Sequence, residues 1–201
     1  VKLIILVTTN DCMDTALLTS VAMGIALSAC CGFRVFVPML GASFAAWQQW
    51  FALPADMQWM SSLPALICFG TAAILEIAAY YIPFVDNLLD AIATPLAVAA
   101  GTVLAASFLP ITEFSPMLKW ILAIVAGGGA AGTVHLGTGL LRLFSTKTTA
   151  GTGNAIVSTG ENAAAIGGTA LSFTAPILIA VLMIALIGWI LVKGVGRLMR
   201  R

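Results

Sequence analysis

The feature that most constrains this chain is Arg34, a lone cation inside a long apolar run. From Ala16 to Trp47 it is the only charged residue, 18 positions from one end and 13 from the other. If the run is one helix, a rise of about 1.5 Å per residue sets Arg34 roughly 20 Å from the nearer end. A charge at that depth in a bilayer costs a few kcal/mol even on lenient insertion scales. Its guanidinium therefore needs a partner or water inside the protein.

Composition widens that argument to the whole chain. Of its 201 residues, 61% are hydrophobic and 8% charged, with mean hydropathy +1.07. A soluble domain carries about 25% charged residues. The expectation is an all-α fold, a polytopic integral membrane helical bundle. The net charge of +1 matters less than where the charges lie. Lys193, Arg197, Arg200 and Arg201 crowd the C-terminus. That cluster reads as a positive-inside signal and predicts a cytoplasmic C-terminus. It is too short to suggest nucleic acid as a partner. Cys12, Cys30, Cys31 and Cys68 have no metal-binding or redox spacing. Three are expected as small core residues and Cys12 as a tail thiol. No cofactor or metal is expected.

Five apolar segments are long enough for a bilayer, which needs about 20 residues: 16–47, 63–82, 88–109, 117–143 and 163–192. The first and last are over-long. Gly32 and Pro38 interrupt the first and Pro176 the last. Each reads as one kinked helix or as a re-entrant piece plus a span. Five spans are expected, or six embedded elements if one is broken. Residues 13–193 form one transmembrane domain, after an extension over 1–12 and before a basic tail over 194–201. Trp47, Trp50, Trp59, Tyr80, Tyr81, Trp120 and Trp189 fall near segment ends, where amphipathic rings meet headgroups. With five spans and the C-terminus inside, the connections near Asp86 and Lys147 share the outer face.

Small residues predict the helix contacts. Gly24, Ser28 and Gly32 recur every fourth position, as do Gly128 with Gly132 and Gly129, Thr133 and Gly137. Such stripes let backbones approach closely in lipid. The first and fourth segments are expected to pack together. Residues 28–34 faintly echo 128–134, and Asp86-Asn87 echoes Glu161-Asn162. Internal repeats of this kind are common in transporters.

The polar inventory within these segments is short: Arg34, Glu76, Asp86, Asn87, Asp90, His135, Arg142, Asn154, Glu161 and Asn162. Ionisable groups at such positions are candidate functional residues by default. Glu76 and Asp90 are the candidate anions for Arg34. Asp86 reads as a helix N-cap, and Ser158 with Glu161 as a capping box. His135 is the single histidine, with a charge that switches near neutral pH. Residues 145–153 read as a polar, flexible loop. No nucleophile elbow, zinc-protease or nucleotide fingerprint occurs, so an enzyme is not expected.

Several stretches resemble a known family: residues 29–38, Glu76 with 82–90, Thr94-Pro95-Leu96, 135–142, Ser145-Thr146, Gly153-Asn154 and Val157-Ser158 with Glu161. Together, over residues 16 to about 182, they resemble a bacterial multi-pass membrane family catalogued as domain of unknown function 4126. The chain has Ala155 where that family tends to have Pro, and Glu161-Asn162 where it tends to have Glu-Asp. The resemblance implies a multi-pass protein of a bacterial inner membrane and no particular activity. The leading functional expectation is a small transporter or channel-like homo-oligomer for an ion or small solute. The alternatives are a scaffold subunit with a membrane-complex partner, and a flippase or enzyme holding lipid headgroups through Arg34 and Arg142.

Overall fold

A computed structural model describes residues 2–109, 115–149 and 153–198; side chains at 2–14, 83–88, 90–91 and 194–198 are outside that description. The described residues are helical throughout, without strands. The elements are α1 (Lys2–Cys30), α2 (Phe36–Trp47), a 3-10 turn (Ala55–Ser61), α3 (Leu63–Ala79), α4 (Pro83–Phe108), α5 (Pro116–Leu122), α6 (Gly129–Thr149), α7 (Asn154–Thr174) and α8 (Pro176–Leu198). Six π-helical residues, Ala123–Gly128, join α5 to α6 without a gap.

Both over-long segments are broken. The last breaks at Ala175, where the residue before Pro176 is barred from continuing a helix. The first breaks over residues 31–35. Gly24 of α1 lies against Phe108 of α4, and Phe51, just past α2, stacks on the same Phe108 ring at 4.7 Å. The chain has returned to the level it left. α1 and α2 therefore form a helical hairpin with Arg34 at its tip, and the depth inferred for a single helix does not apply.

Neighbouring contacts fix the remaining directions. α2 and α3 are antiparallel, with Phe36 at Glu76 and Leu40 at Gly70. α4 and α6 are antiparallel, with Gly101 on Gly127 and Val98 on Gly132. α8 runs parallel to α6, with Met183 near Val134 and Ile190 against Gly137. One end of the bundle, here the lower, thus carries the α1–α2 tip, the α3–α4 and α6–α7 connections and the far end of α8. This corrects the expected arrangement, which set the C-terminus opposite those two connections. The break at Ala175 adds one helix after those connections and so brings the end of α8 to their side.

Other local expectations also change. α7 begins at Asn154, so Ser158 and Glu161 lie inside it and form no capping box. α4 begins at Pro83, so Asp86 is not its N-cap. α6 continues to Thr149, so much of the expected loop is helix. Cys68 is exposed instead of buried, while Cys30 and Cys31 are in the core. The expected small-residue contacts form, mostly with a different partner. Gly24 and Ser28 face α4, where the Ser28 hydroxyl donates to Gly101 O at 2.7 Å. Gly128 and Gly132 also face α4, Gly137 faces α8, and Gly129 faces open space. Gly32 alone of the first stripe meets α6, at Ala131 and Val134.

The packing is inverted relative to a water-soluble domain. Alanine is the commonest buried residue, and Ser28, Ser43, Arg34, Glu76 and Glu161 are buried too. Exposed positions include Ile67, Ile74, Val125, Leu136, Leu178, Val181 and Val192. By length and composition, Pro116–Thr149 and Pro176–Lys193 can each cross a membrane among the described residues, and Ala55–Ser61 with Leu63–Ala79 adds a third if its 63° bend belongs to one span. The apolar helices Thr15–Cys30, Phe36–Trp47 and Ile92–Phe108 are shorter.

The α4–α6 contact is the tightest in the bundle. A Cβ at Gly127 would collide with Gly101 O and Ala105 Cβ. Gly127→Ala should therefore cost about 1–3 kcal/mol, read as a lower melting temperature in detergent. Gly129→Ala, with nothing within 4 Å, should leave it unchanged or slightly raised.

Candidate functional site

Breaking a helix leaves backbone donors and acceptors without intrahelical partners. At the α1–α2 tip, side chains from α3 and α6, together with Arg34 itself, supply them. Glu76 of α3 accepts from both amides that open α2: Val35 N to Oε1 at 2.7 Å and Phe36 N to Oε2 at 2.9 Å. A carboxylate there also suits the positive end of the α2 dipole. His135 Nδ1 of α6 lies 3.2 Å from Gly32 O, and Arg34 Nη1 donates to Phe33 O at 3.2 Å. Glu76 therefore holds the tip's backbone rather than serving as Arg34's direct anion.

That anion is Glu161, two-thirds of the chain away. Arg34 Nη1 donates to Glu161 Oε2 at 3.0 Å and Nε to Asn162 Oδ1 at 2.6 Å. Nη2 donates to Ser158 O at 3.3 Å. Arg142 reaches the same carboxylate, Nε to Oε1 at 3.1 Å and Nη2 to Oε2. Both guanidiniums lie over the Tyr80 ring, at 3.9 Å for Arg34 and 4.2 Å for Arg142. Arg34 is 1% exposed and Glu161 4%. Glu161 and Glu76 together offset the formal charges of the two arginines.

The spacing along each helix explains the convergence. Glu161 and Asn162 sit on one buried face of α7, with Ser158 a turn earlier. Arg142 is seven residues before the end of α6, about 10 Å from the lower end. The α6–α7 hairpin brings it opposite Glu161. Asn154 belongs elsewhere, bonded to Thr146 at that hairpin's base. The side chains of Asp86, Asn87 and Asp90 are outside the described residues, so this geometry does not include them.

Tyr80 and Tyr81 change role. Both were expected at headgroup level, but Tyr80 is 4% exposed beneath the guanidiniums. Tyr81 remains exposed; its hydroxyl accepts from Asn162 Nδ2 at 3.2 Å and lies 3.2 Å from Thr159 Oγ1. Tyr80 was legible in principle. It follows Glu76 by four residues and so shares its helix face.

The contacts described at this centre are electrostatic. It is a neutral latch in which one carboxylate binds two cations and fixes a helical hairpin between three other helices. Neutralising Glu161 would leave both guanidiniums without their shared counter-ion.

The sequence profile of the family described as Domain of unknown function (DUF4126) matches residues 21–194, and the chain belongs to that family. No curated protein and no solved structure matches it.

Replacing Glu76 by Gln keeps its shape but leaves one oxygen for two amides. The variant should lose about 1–3 kcal/mol of stability, measured by thermal unfolding in detergent. Tyr80→Leu should lower stability by about 1–2 kcal/mol through its two cation–π contacts. Tyr81→Leu, at the exposed edge, should cost less.

Proposed function

We propose that this family member is an integral membrane protein that passes an ion or small solute, with the α1–α2 hairpin as its gate. The observation that carries this reading is the broken helix whose tip is held by ionisable side chains. In membrane transporters, discontinuous helices of this kind form substrate sites and moving elements. A tip latched by Arg34, Glu76, Arg142 and Glu161 is bistable in principle. It is locked while Glu161 pairs with both arginines, and loosened when an entering ion competes for that pairing.

The membrane setting rests on the inverted packing. Large exposed apolar surface is unusual for a soluble monomer. Here it surrounds buried arginine, glutamate and serine. Orientation follows from the basic residues. Arg142, Lys147 and Lys193 belong to the lower end, and Arg197, Arg200 and Arg201 follow in sequence. The positive-inside rule then makes that end cytoplasmic. The C-terminus keeps its expected side, while the α3–α4 and α6–α7 connections become cytoplasmic too. Lys119, at the upper end, is paired with Asp56 at 2.8 Å. The short α2, about 18 Å long, is a re-entrant arm on this reading.

A second reading is a scaffold subunit of a membrane complex, in which the latch is permanent. It is favoured by the number of Arg34 donors already spent within the chain. The same observation weighs against a phosphate-headgroup site on Arg34 and Arg142. A homo-oligomer remains part of the proposal, because so few helices enclose little space.

Flux through purified protein in liposomes tests the proposal with protons, sodium, potassium and chloride in turn. The expected result is selective flux that Arg34→Ala abolishes and Glu161→Gln alters, with both variants still inserted. Absence of flux for every ion, with a stoichiometric partner retained in mild detergent, would replace transport by the scaffold reading.

A further inference from the structure

The end of the bundle opposite the latch holds an open cavity of about 360 Å³, where α2 passes into the 3-10 turn. Its lining includes Ala46, Gln49, Phe51, Leu53, Gln58 and Ser61. That volume falls within the range of about 300–1,000 Å³ found for small-molecule sites. Two of its walls are fixed from behind. The Phe51 ring lies 4.7 Å from that of Phe108 in α4 and 6.3 Å from that of Phe173 in α7. The 3-10 turn is anchored by Met57 and Met60, buried on either side of Gln58, and by the Lys119–Asp56 pair at 2.8 Å. The amides held by Glu76 open the same α2 whose far end borders the cavity.

The way α2 ends is a second, independent sign of a ligand. Trp50 N donates to Ala45 O and Gln49 N to Ala46 O, both at 3.0 Å, which are the paired bonds of a Schellman cap. Such a cap sets one residue in the left-handed region, and glycine usually takes that place. Here it is Gln49, at φ 60°, the one non-glycine residue with positive φ among those described. A Cβ in that conformation crowds the following carbonyl and strains the backbone. Strain of this kind collects at ligand clamps and active sites. The side chain that incurs it here lines the cavity.

The lining chemistry narrows what the ligand is. None of the lining residues is ionised. Asp56, two positions before Gln58, is already paired with Lys119. The Ser61 hydroxyl is spent on Gln58 O at 2.7 Å. The carboxamides of Gln49 and Gln58 are left over, since neither bonds to another described residue. Each offers two donors and an acceptor. Phe51 and Leu53 add an apolar wall. We propose that this cavity binds a small uncharged molecule carrying a carboxamide or urea group on an apolar body. The polar group pairs with Gln49 and Gln58, and the body lies against Phe51 and Leu53. This site goes beyond the transport reading and does not depend on it.

Saturation-transfer NMR on the full chain in phosphatidylcholine nanodiscs tests the site, with empty nanodiscs correcting for partition into lipid. The probes are benzamide, benzoate and benzamidinium, which share one ring and differ in charge. The expected result is transfer to benzamide that is several-fold stronger than to either ion. Gln58→Leu removes one carboxamide at similar volume and should weaken that signal several-fold without moving the melting temperature, because Gln58 is exposed. Gln49→Gly should also weaken it while raising the melting temperature, since glycine relieves the strained cap. That opposite movement of binding and stability is not expected of a residue that serves the fold alone. No benzamide signal above empty nanodiscs, equal signals from all three probes, or a signal that survives both substitutions together would overturn the proposal. Ion flux is read separately, so its absence would count against the gate and not against this site.

Discussion

The structure depends on one carboxylate shared between two arginines. Glu161 binds Arg34 from the hairpin tip and Arg142 from α6, and it does so from the second turn of α7. Without that shared anion, two guanidiniums would lie buried and uncompensated. Removing one member of such a group is expensive because it strands the others. The group also joins the first third of the chain to the last, so the tip of α1–α2 is positioned by residues more than 120 positions away.

Around this centre the bundle is held by close backbone approach rather than by large side chains. Gly101 meets Gly127 and Gly32 meets Ala131, while alanine is the commonest residue at the other buried positions. Large aliphatic side chains face outward. On the proposed membrane reading, burying leucine against leucine gains little over contact with acyl chains, so small residues and polar contacts would carry association. The same logic explains Glu76. The amides that open α2, buried in the bundle, are satisfied by a side chain from the neighbouring helix.

Much of this was legible from residue types and spacing. The all-α fold, the need of Arg34 for a buried partner, and the family followed from apolar run lengths and a few motifs. Arg34, Arg142, Glu161 and Asn162 were all candidates, and the fold brings them together. The partnership itself was not legible. Glu76 and Asp90 were the candidate anions because each lies inside an apolar segment that could pack against the first, and spacing along a chain does not report which helices adjoin. Whether the first segment kinks or turns back was left open for a related reason. Gly32 and Pro38 marked an interruption, but an apolar pattern is the same whether the chain continues across or turns back. The break at Ala175, by adding one helix after them, also reversed the expected side of the α3–α4 and α6–α7 connections relative to the C-terminus. Tyr80 was read as an interfacial ring because aromatic residues at segment ends usually are; its place four residues after Glu76 was the better signal.

The central claim is that Arg34 and Glu161 act as one unit that fixes the hairpin tip. A double-mutant cycle on thermal or denaturant stability in detergent measures it most directly, using Arg34→Met, Glu161→Gln and the two combined. The account predicts strong coupling, with each single variant costing about 3–5 kcal/mol and the double variant costing well below their sum. Additive losses would contradict it, since they would mean that the two side chains contribute independently and that the tip is held by something else.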